Sequence, residues 1–456
     1  MFFRKNIIQN KTKYIFYIFF VFLLFFRLHN ANVFNPYWGY DGGAHLDYIE
    51  KIYLENKLPD MQENYLAWHE PGFYYFYSYI GKLFNFIYPN EFSVIIKFLQ
   101  VISSIISVFI VYLVYKTVQQ FTKNKYAQLA TVISFGLLSV FTETTNYLTN
   151  ELLLAFFIIL LFYSFITFSK KGWNLRRILI ISILSGLALL TKLSALIFIF
   201  AILIWLIYRS VYTKKIKYLN YAFIFCVICI LIYSPWAIYK QKNIGSFYSI
   251  NVYEKNFANT ENQNRELNPD FFYRLNPQIF NNPFWMTSSN SFWAIIFTDT
   301  FSDYYAISGN VDKNDLLSGE SKILTGSGRF VINKKFSFSV LLLYSSVFFI
   351  FIFLGGTLGL FLQWIKRGFL PSINLFILIF IIGSFLALMY NVWSFPVLER
   401  GTLKTSFILS VWPLLMIVGW SWLANVLNKF KLNFLWAVFY FYILIWGSLS
   451  VYINWI

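Results

Sequence analysis

The sequence predicts an all-α, polytopic membrane protein, and three observations support this fold class. Apolar residues make up 58% of the 456 residues and charged residues 12%, whereas soluble proteins contain about 45–50% and about 25%. The 55 Phe, 33 Tyr and 15 Trp present more aromatic surface than so few charges could cover in a soluble fold. Apolar runs of about 17–25 residues, long enough to cross a bilayer as helices, recur along the chain.

Eleven of these apolar runs are predicted to span the membrane. We interpret the first run as a retained helix and not as a signal peptide, because no small-residue cleavage site closes it. The fifth and sixth runs are short, and Thr191 and Lys192 are expected to form a tight turn between them. The predicted spans are 14–34, 92–118, 127–144, 149–169, 177–191, 193–209, 218–240, 336–365, 372–393, 403–427 and 434–456.

The basic residues predict a cytoplasmic N-terminus. In this orientation the inner tail and loops carry nineteen Lys and Arg, whereas the short outer loops hold only Lys192, Arg400 and Lys404. This is the positive-inside pattern. The net charge of +17 therefore does not indicate a nucleic-acid binder, because the basic residues lie in short clusters between apolar runs.

All 20 Asp and Glu fall on the outer side in the same orientation. Orientation bias is one explanation, although acidic residues have little effect on topology. The functional interpretation is that the chemistry of the protein faces outward.

Two long outer segments, 35–91 and 241–335, interrupt the spans. Interfacial helices are expected in the first, and 284–305 in the second has the mixed aromatic and acidic composition of a helix lying in the membrane interface. No internal repeat is visible, which argues against a transporter built from repeated halves. Cys226 and Cys229 are too few for a disulfide framework or a zinc site and are expected to be inert.

The first outer segment contains two stretches that suggest chemistry. As a helix, the first would place Asp41, His45 and Tyr48 on one stripe, so that a carboxylate, an imidazole and a phenol lie together at the membrane surface. In the second, His69 and Glu70 precede a proline suited to the first turn of a helix. The alternative is that both stretches are amphipathic helices whose polar residues only contact water.

These stretches resemble the first outer loop of the GT-C glycosyltransferases, in particular the branch of the protein mannosyltransferases and the bacterial lipid A aminoarabinose transferase. The resemblance rests on Asp41 with His45 four residues later, and on the similarity of 69–75 to the family's His-Pro-Pro-Leu-Tyr-Tyr element. The usual Asp-Glu pair is Asp41-Gly42 in this chain, and the usual Pro-Pro is Glu70-Pro71.

Three later elements are similar to the same family and follow in the same order. Residues 149–152 carry Glu151 where the family has its second acidic position. Residues 186–195 resemble the Gly-Leu-Ala … Thr-Lys element and contain Lys192, and 235–240 resemble the Pro-Trp element that ends the seventh span. The resemblance covers about 14–245, with a fainter echo at Lys404. It implies a conserved GT-C-like transmembrane module at 1–240, a large outer loop at 241–335 and C-terminal transmembrane helices at 336–456.

The resemblance implies a membrane glycosyltransferase. Such an enzyme moves a hexose or pentose from a polyprenyl-phosphate or -diphosphate donor to a lipid, glycan or protein acceptor. The transfer would take place on the outer face of a prokaryotic cell membrane. No cofactor is implied with certainty, and a divalent cation and its ligands are left open. A flippase or transporter of lipid-linked glycans and a non-catalytic scaffold are the alternatives.

Each candidate site residue then has an expected role. Asp41 is the candidate base for the acceptor, with His45 orienting it or contacting the sugar, and Glu151 is a second acidic candidate beside the weaker Glu143. Lys192 is expected to bind the donor phosphate, because a lysine at membrane depth is costly unless it is paired. Snorkelling to the surface is its alternative. Further candidate contacts to substrate are Tyr48, His69, Glu70, Lys240, Lys242, Arg400 and Lys404. We expect the largest cavity to be lined by Asp41, His45, Glu151 and Lys192.

Overall fold

The helical bundle begins with a long helix and continues with helices of very unequal length. The computed structural model describes residues 2–60, 62–243, 245, 269–284, 291–306, 322–324, 330–394 and 403–456. The α-helices of these residues are α1 (Phe2–Val33), α2 (Gly42–Glu55), α3 (Gly72–Ile87), α4 (Phe92–Phe121), α5 (Lys125–Gly136), α6 (Ser139–Asn146), α7 (Asn150–Lys171), α8 (Leu175–Thr191), α9 (Leu196–Thr213), α10 (Lys217–Asn243), α11 (Asp270–Tyr273), α12 (Phe292–Phe301), α13 (Asn333–Lys366), α14 (Ile373–Ser394), α15 (Trp412–Lys429) and α16 (Trp436–Asn454).

The predicted all-α membrane fold is confirmed, but the count of eleven spans is not. Each predicted run coincides with a helix or a pair of helices. Among the described residues, eight helices are long and apolar enough to cross a membrane, or nine if the bent pair α5–α6 is one span. Helix α8 has 17 residues and a length of about 26 Å at 1.5 Å per residue, which is shorter than the hydrocarbon core of about 30 Å.

The spans pack as a bundle around α4 and α15. The most extensive helix contacts are α8 with α10, α13 with α15, and α4 with α7. Helix α15 also packs against α4 and α5, and 13 of its 18 residues are buried. Large apolar side chains on the outside of the bundle, such as Ile18, Val21 and Phe25 of α1, are exposed in the protein. A bilayer would cover this surface.

The connections alternate between two ends of the bundle. We call the acidic end the one that carries 34–41, 56–71, 88–91, 147–149, 192–195 and 403–411, and the basic end the one that carries 122–124, 172–174, 214–216, 367–372 and 430–432. The described connections of the basic end contain no Asp or Glu. The acidic end is therefore the only one of the two where described carboxylates can meet cations.

Helices α2 and α3 lie beside each other at the acidic end, as expected for the first long outer segment. Their apolar faces form a second core with the first half of α4, separate from the main bundle core. The far end of α3 exposes Phe86 and Ile87 at 86% and 72%. This pair of helices can therefore rest on the membrane surface while holding its polar residues against the bundle.

About half of the segment 241–335 lies outside the described residues. Its described parts include α11, the 3-10 helix Pro277–Phe280, α12 and two short antiparallel strands, β1 (Lys322–Leu324) and β2 (Phe330–Ile332), in which Ile323 lies opposite Val331. The prediction of an interfacial helix over 284–305 was wrong for the part that is described. Helix α12 has nine of its ten residues buried, because it packs against α6 and α13.

Candidate active site

Six chain segments meet at the acidic end and bring three acid–lysine pairs close together. The segments are the loop before α2, the loop before α3, the start of α7, the break between α8 and α9, the end of α10, and the Thr405–Ile408 turn before α15. The pairs are Asp41–Lys404, Glu151–Lys192 and Glu70–Lys240. Each pair joins segments that are far apart in the sequence.

Asp41 precedes α2 in the left-handed backbone region, with φ of 52°. Its Oδ2 accepts a hydrogen bond of 2.9 Å from Lys404 Nζ, and its Oδ1 accepts one of 2.9 Å from Tyr65 Oη. Burial opposes ionisation of Asp41, but the charge of Lys404, aided by His45 and these hydrogen bonds, holds the pKa of the carboxyl well below its usual range. Asp41 is 38% exposed and Lys404 5%, so the pair presents an ionised carboxylate to the outside.

The loop that carries Asp41 lies directly against Tyr147. A Cβ atom added at Gly39 would lie 2.1 Å from the Tyr147 ring, so only glycine permits this approach. Tyr40 packs edge-on against the rings of Tyr147 and Tyr305, with centroid distances of 6.3 and 5.1 Å. These contacts fix the backbone immediately before Asp41.

His45 lies one helical turn after Asp41 and is buried. Its Nδ1 is 3.0 Å from Tyr74 Oη, and its ring lies edge-on to the His69 ring at 6.1 Å. Burial lowers the pKa of His45 to about 3, although the charge of Asp41 acts in the opposite direction. His45 is therefore neutral at physiological pH and can serve as a hydrogen-bonding group for a polar ligand.

Lys192 lies at the C-terminal end of α8, where the chain breaks before α9. Its side chain is 16% exposed, and its Nζ contacts Glu151 Oε1, whose side chain is 5% exposed. Asn150 Oδ1 lies 3.5 Å from the same Nζ, and Asn150 Nδ2 lies 3.3 Å from His69 Nδ1. Burial and the charge of Lys192 lower the pKa of His69 well below its usual value. The amide of Asn150 thus connects the lysine to the first outer segment.

Phe407 links the Asp41–Lys404 and Glu151–Lys192 pairs. The Nζ of Lys192 lies 4.5 Å from the centroid of its ring, and the Nζ of Lys404 lies 5.7 Å from it. Lys404 also lies 4.7 Å from the Tyr40 ring centroid. Aromatic faces attract cations, so one ring holds two ammonium groups near each other. The arrangement can bind an anion that exchanges with one or both carboxylates.

The third pair, Glu70–Lys240, is closed, which argues against the predicted contacts of these two residues with substrate. Their side chains are 3% and 1% exposed and lie 3.4 Å apart. Glu70 also accepts hydrogen bonds from Tyr233 Oη at 3.2 Å and from the backbone N–H of Leu193 at 3.1 Å. Leu193 follows Lys192 directly. The hydrogen bond from Leu193 to Glu70 therefore helps to fix the position of Lys192, the candidate phosphate-binding residue.

The backbone at Gly72, at the start of α3, lies close to the backbone at the end of α8. An added Cβ would lie 2.7 Å from the carbonyl oxygen of Leu190. The start of α3 and the end of α8 are therefore in backbone contact. This contact places Glu70 within reach of Leu193.

Tyr48 does not reach the cluster, contrary to the expectation that it contacts substrate. Its ring is fully buried and stacks on Tyr74 with a centroid distance of 3.6 Å and an interplanar angle of 10°. Although Tyr48 lies on the same face of α2 as His45, its side chain packs in the second core, formed by α2, α3 and the first half of α4. Tyr48 therefore supports Tyr74, which contacts His45.

Asp299 of α12 accepts hydrogen bonds from Tyr40 and Thr405, the residues next to Asp41 and Lys404 in the sequence. Its Oδ2 accepts hydrogen bonds from the backbone N–H and the Oγ1 of Thr405 at 2.7 and 2.6 Å, and its Oδ1 accepts one of 3.1 Å from Tyr40 Oη. Burial raises the pKa of Asp299 to about 6, and these hydrogen bonds oppose the rise. Tyr40 and Thr405 flank Asp41 and Lys404 in sequence, so Asp299 is a positioning residue that the sequence did not identify.

The remaining candidates contribute less to the cluster. Glu143 is buried on α6 and Lys242 is exposed at the end of α10, whereas Arg400 lies outside the described residues. Cys226 and Cys229 form no disulfide. No group of three or more His, Cys, Asp or Glu side chains in the described residues is arranged to hold a metal ion.

The two best-formed cavities of the described residues are not lined by Asp41, His45, Glu151 and Lys192. These cavities, of about 500 and about 720 Å³, have other linings. At the acid–lysine cluster, the side chains of Lys192 and Lys404 contact their own carboxylates, Glu151 and Asp41. Opening a binding space requires at least one of these contacts to exchange for ligand.

Comparisons with known proteins show what the sequence and the fold of this chain are similar to. Residues 69–239 match the family described as dolichyl-phosphate-mannose-protein mannosyltransferase. The matched part includes Glu70, Glu151, Lys192 and the start of the Pro-Trp element. A comparison with curated proteins finds no match.

Two solved structures of the Archaeoglobus fulgidus oligosaccharyltransferase are similar in fold. The form tethered to an acceptor peptide containing the NVT sequon gives a TM-score of 0.51 at 16% identity and covers 96% of this chain and 55% of that one. The complex with Zn and sulfate gives 0.52 at 15% identity, with coverage of 95% and 53%. This chain thus spans about half the length of the solved protein. The resemblance to the GT-C glycosyltransferases and their membrane fold is confirmed.

Proposed function

We propose that this protein is an integral membrane glycosyltransferase that transfers a sugar from a polyprenyl-phosphate or -diphosphate donor to a lipid, glycan or protein acceptor. The observation that carries the proposal is the meeting of the Asp41–Lys404 and Glu151–Lys192 pairs on the ring of Phe407. The family match over 69–239 supports the same chemistry. The basic residues of the opposite end favour transfer on the outer face of the cell membrane.

Lys192 and Lys404 are proposed to bind the donor phosphate. Negative charge grows on this phosphate as its bond to the sugar breaks, and fixed cations in a site with little water stabilise such charge well. Both ammonium groups lie against one ring and are largely buried. A phosphate between them would replace the carboxylates as their partner, and the apolar surface of the bundle would receive the prenyl chain.

Asp41 is proposed to be the base. Its carboxylate accepts the proton of the acceptor group while the acceptor attacks the anomeric carbon. The bond from that carbon to the phosphate oxygen breaks, and the electron pair leaves with the phosphate. Lys404 now holds the pKa of Asp41 low. When phosphate takes part of the charge of Lys404, the pKa of Asp41 rises towards its ordinary value and the carboxylate becomes a stronger base.

Glu151 and the two histidines complete the proposed site. Glu151 orients Lys192 before donor binds and is the alternative base. One ring nitrogen of neutral His45 is directed to Tyr74 Oη. The other nitrogen has no hydrogen bond within the described part of the chain and is proposed to contact a sugar hydroxyl. His69, held by Asn150, lies beside His45. A neutral pair of imidazoles suits a sugar, which offers hydroxyl groups and no charge.

The proposal is tested with purified protein and a panel of radiolabelled polyprenyl-phosphate and -diphosphate sugars, scored for transfer or slow hydrolysis. We expect at least one donor to be consumed, with strong loss in Lys192→Ala. Lys57→Ala, which removes an exposed lysine of the same end, is the matched control. Movement of labelled lipid across liposomes without any donor consumption would contradict the proposal and favour a flippase.

A further inference from the structure

A cavity of about 500 Å³ lies at the basic end of the bundle, opposite the acid–lysine cluster. It is enclosed by the final turns of α4, α7, α9 and α13, the start of α14 and the last part of α15. Its volume lies within the range of about 300–1,000 Å³ that small-molecule sites occupy. The cavity is separate from every residue of the proposed active site.

The lining of this cavity carries positive charge without acidic residues. Lys170, Arg209 and Arg367 contribute to the lining, and no Asp or Glu does. Lys170 Nζ donates to the carbonyl oxygen and Oε1 of Gln120 at 2.8 and 2.9 Å, and both of these acceptors are neutral. Arg209 stacks on the rings of Trp205 and Tyr218 at 4.7 and 4.9 Å. The positive charge of the cavity is therefore not balanced by the described residues around it.

Several polar atoms in the same lining are buried and have no hydrogen-bond partner among the described residues. They are the Oγ atoms of Ser169 and Ser421 and the Nε of Arg209. Buried polar side-chain atoms in proteins have a partner in the large majority of cases. Their concentration around one cavity indicates a polar ligand that accepts hydrogen bonds.

Besides the neutral polar residues Gln120, Gln363, Ser372, Asn374 and Asn425, the lining has an apolar part. Trp422, Leu360 and Val418 form part of it, with the small residues Gly356 and Gly359. A ligand that fits must therefore combine a negative, hydrogen-bond-accepting head with an apolar part. Basic pockets between transmembrane helices on the cytoplasmic side commonly bind anionic lipid head groups.

We infer that this cavity binds the phosphate head group of an anionic membrane phospholipid. The phosphate oxygens accept hydrogen bonds from Arg209, Arg367 and the two serines, and the first carbons of the acyl chains lie on the apolar wall. A bound lipid holds together the ends of six helices that have no counter-charge of their own. This inference does not depend on the proposed transferase activity.

The test is native mass spectrometry of the purified full chain in a neutral detergent, with phosphatidylglycerol or phosphatidylcholine of the same acyl chains. We expect retained phosphatidylglycerol, and a loss of its affinity of about 30-fold in Lys170→Gln/Arg367→Gln, since each basic residue near an anionic lipid contributes about fivefold. Both residues are exposed, so the variant is expected to keep its fold. Lys123→Gln/Lys215→Gln removes two exposed charges of the same end outside the cavity and should retain the native affinity.

Three outcomes would overturn the inference. The first is equal retention of the two phospholipids. The second is an equal loss of phosphatidylglycerol binding in the control variant, which would assign the effect to general surface charge. The third is complete competition by millimolar inorganic phosphate, which would identify a soluble anion and not a lipid as the ligand.

Discussion

The Glu70–Lys240 pair offers a quantitative test of how the candidate site is supported. In Lys240→Met, a carboxylate that is 3% exposed loses its cation, and removing one partner of a buried ion pair costs about 3–5 kcal/mol. Glu70 keeps two neutral donors, Tyr233 Oη and the backbone N–H of Leu193. We therefore expect a loss near the lower end of that range, about 3 kcal/mol in the free energy of unfolding.

The double variant Glu70→Gln/Lys240→Met should recover most of this loss. It removes the uncompensated charge, and the side-chain oxygen of Gln can still accept from Leu193. The assay is reversible unfolding of the native protein, both single variants and the double variant in mixed micelles, analysed as a double-mutant cycle. The double variant should also retain transferase activity, because Leu193 and hence Lys192 stay in place.

Two results would refute this reasoning. If the free energy of unfolding of Lys240→Met lies within about 0.5 kcal/mol of that of the native protein, Glu70 and Lys240 do not form a buried, coupled ion pair. If the double variant is stable but inactive towards donor, Glu70 or Lys240 contacts substrate, as the sequence first suggested. Either result is measured on the same preparations.

Three further predictions concern the cluster itself. Lys192→Ala should raise the KM for donor and should lower kcat by at least about tenfold. Lys192→Arg should recover part of this loss. Unchanged donor kinetics in Lys192→Ala would exclude phosphate binding by this residue. Burial raises the pKa of Asp299 from 3.8 to about 6, so the folded state binds more protons than the unfolded state between these values. The contribution of Asp299 to the free energy of unfolding should therefore fall by about 2 kcal/mol as the pH rises from 4 to 6. Asp299→Asn should lack this slope, and identical pH profiles of unfolding for the native protein and the variant would contradict the prediction. Gly39→Ala should destabilise by about 1–3 kcal/mol through its clash with Tyr147, and a variant with native stability would show that the loop adapts.

The membrane fold was predictable from the sequence because its main signal is local. A run of apolar residues long enough to cross a bilayer forms a helix wherever it occurs, since the backbone must satisfy its own hydrogen bonds there. Helix α12 was misassigned because its aromatic residues suit both a membrane interface and a protein core. Only its tertiary contacts with α6 and α13 decide between the two.

The sequence predicted which residues belong to the candidate site better than it predicted which of them contact each other. Asp41, Glu151 and Lys192 were found through family-like motifs, but the pairing of Asp41 with Lys404 spans 363 residues and has no local signal. Glu70 and Asp299 could not be assigned from sequence for the same reason. A buried carboxylate and an exposed one have the same sequence letter, and only packing determines whether such a group meets a substrate or a backbone N–H.

The rate of sugar transfer by Asp41→Asn tests the central claim most directly. This change keeps the shape of the side chain and removes its capacity to accept a proton. We expect kcat to fall by about 10²–10⁴-fold. Asp47→Asn, an exposed acid on the same helix, should transfer at the native rate. A folded Asp41→Asn protein that transfers sugar as fast as the native enzyme would contradict the role of Asp41 as the base.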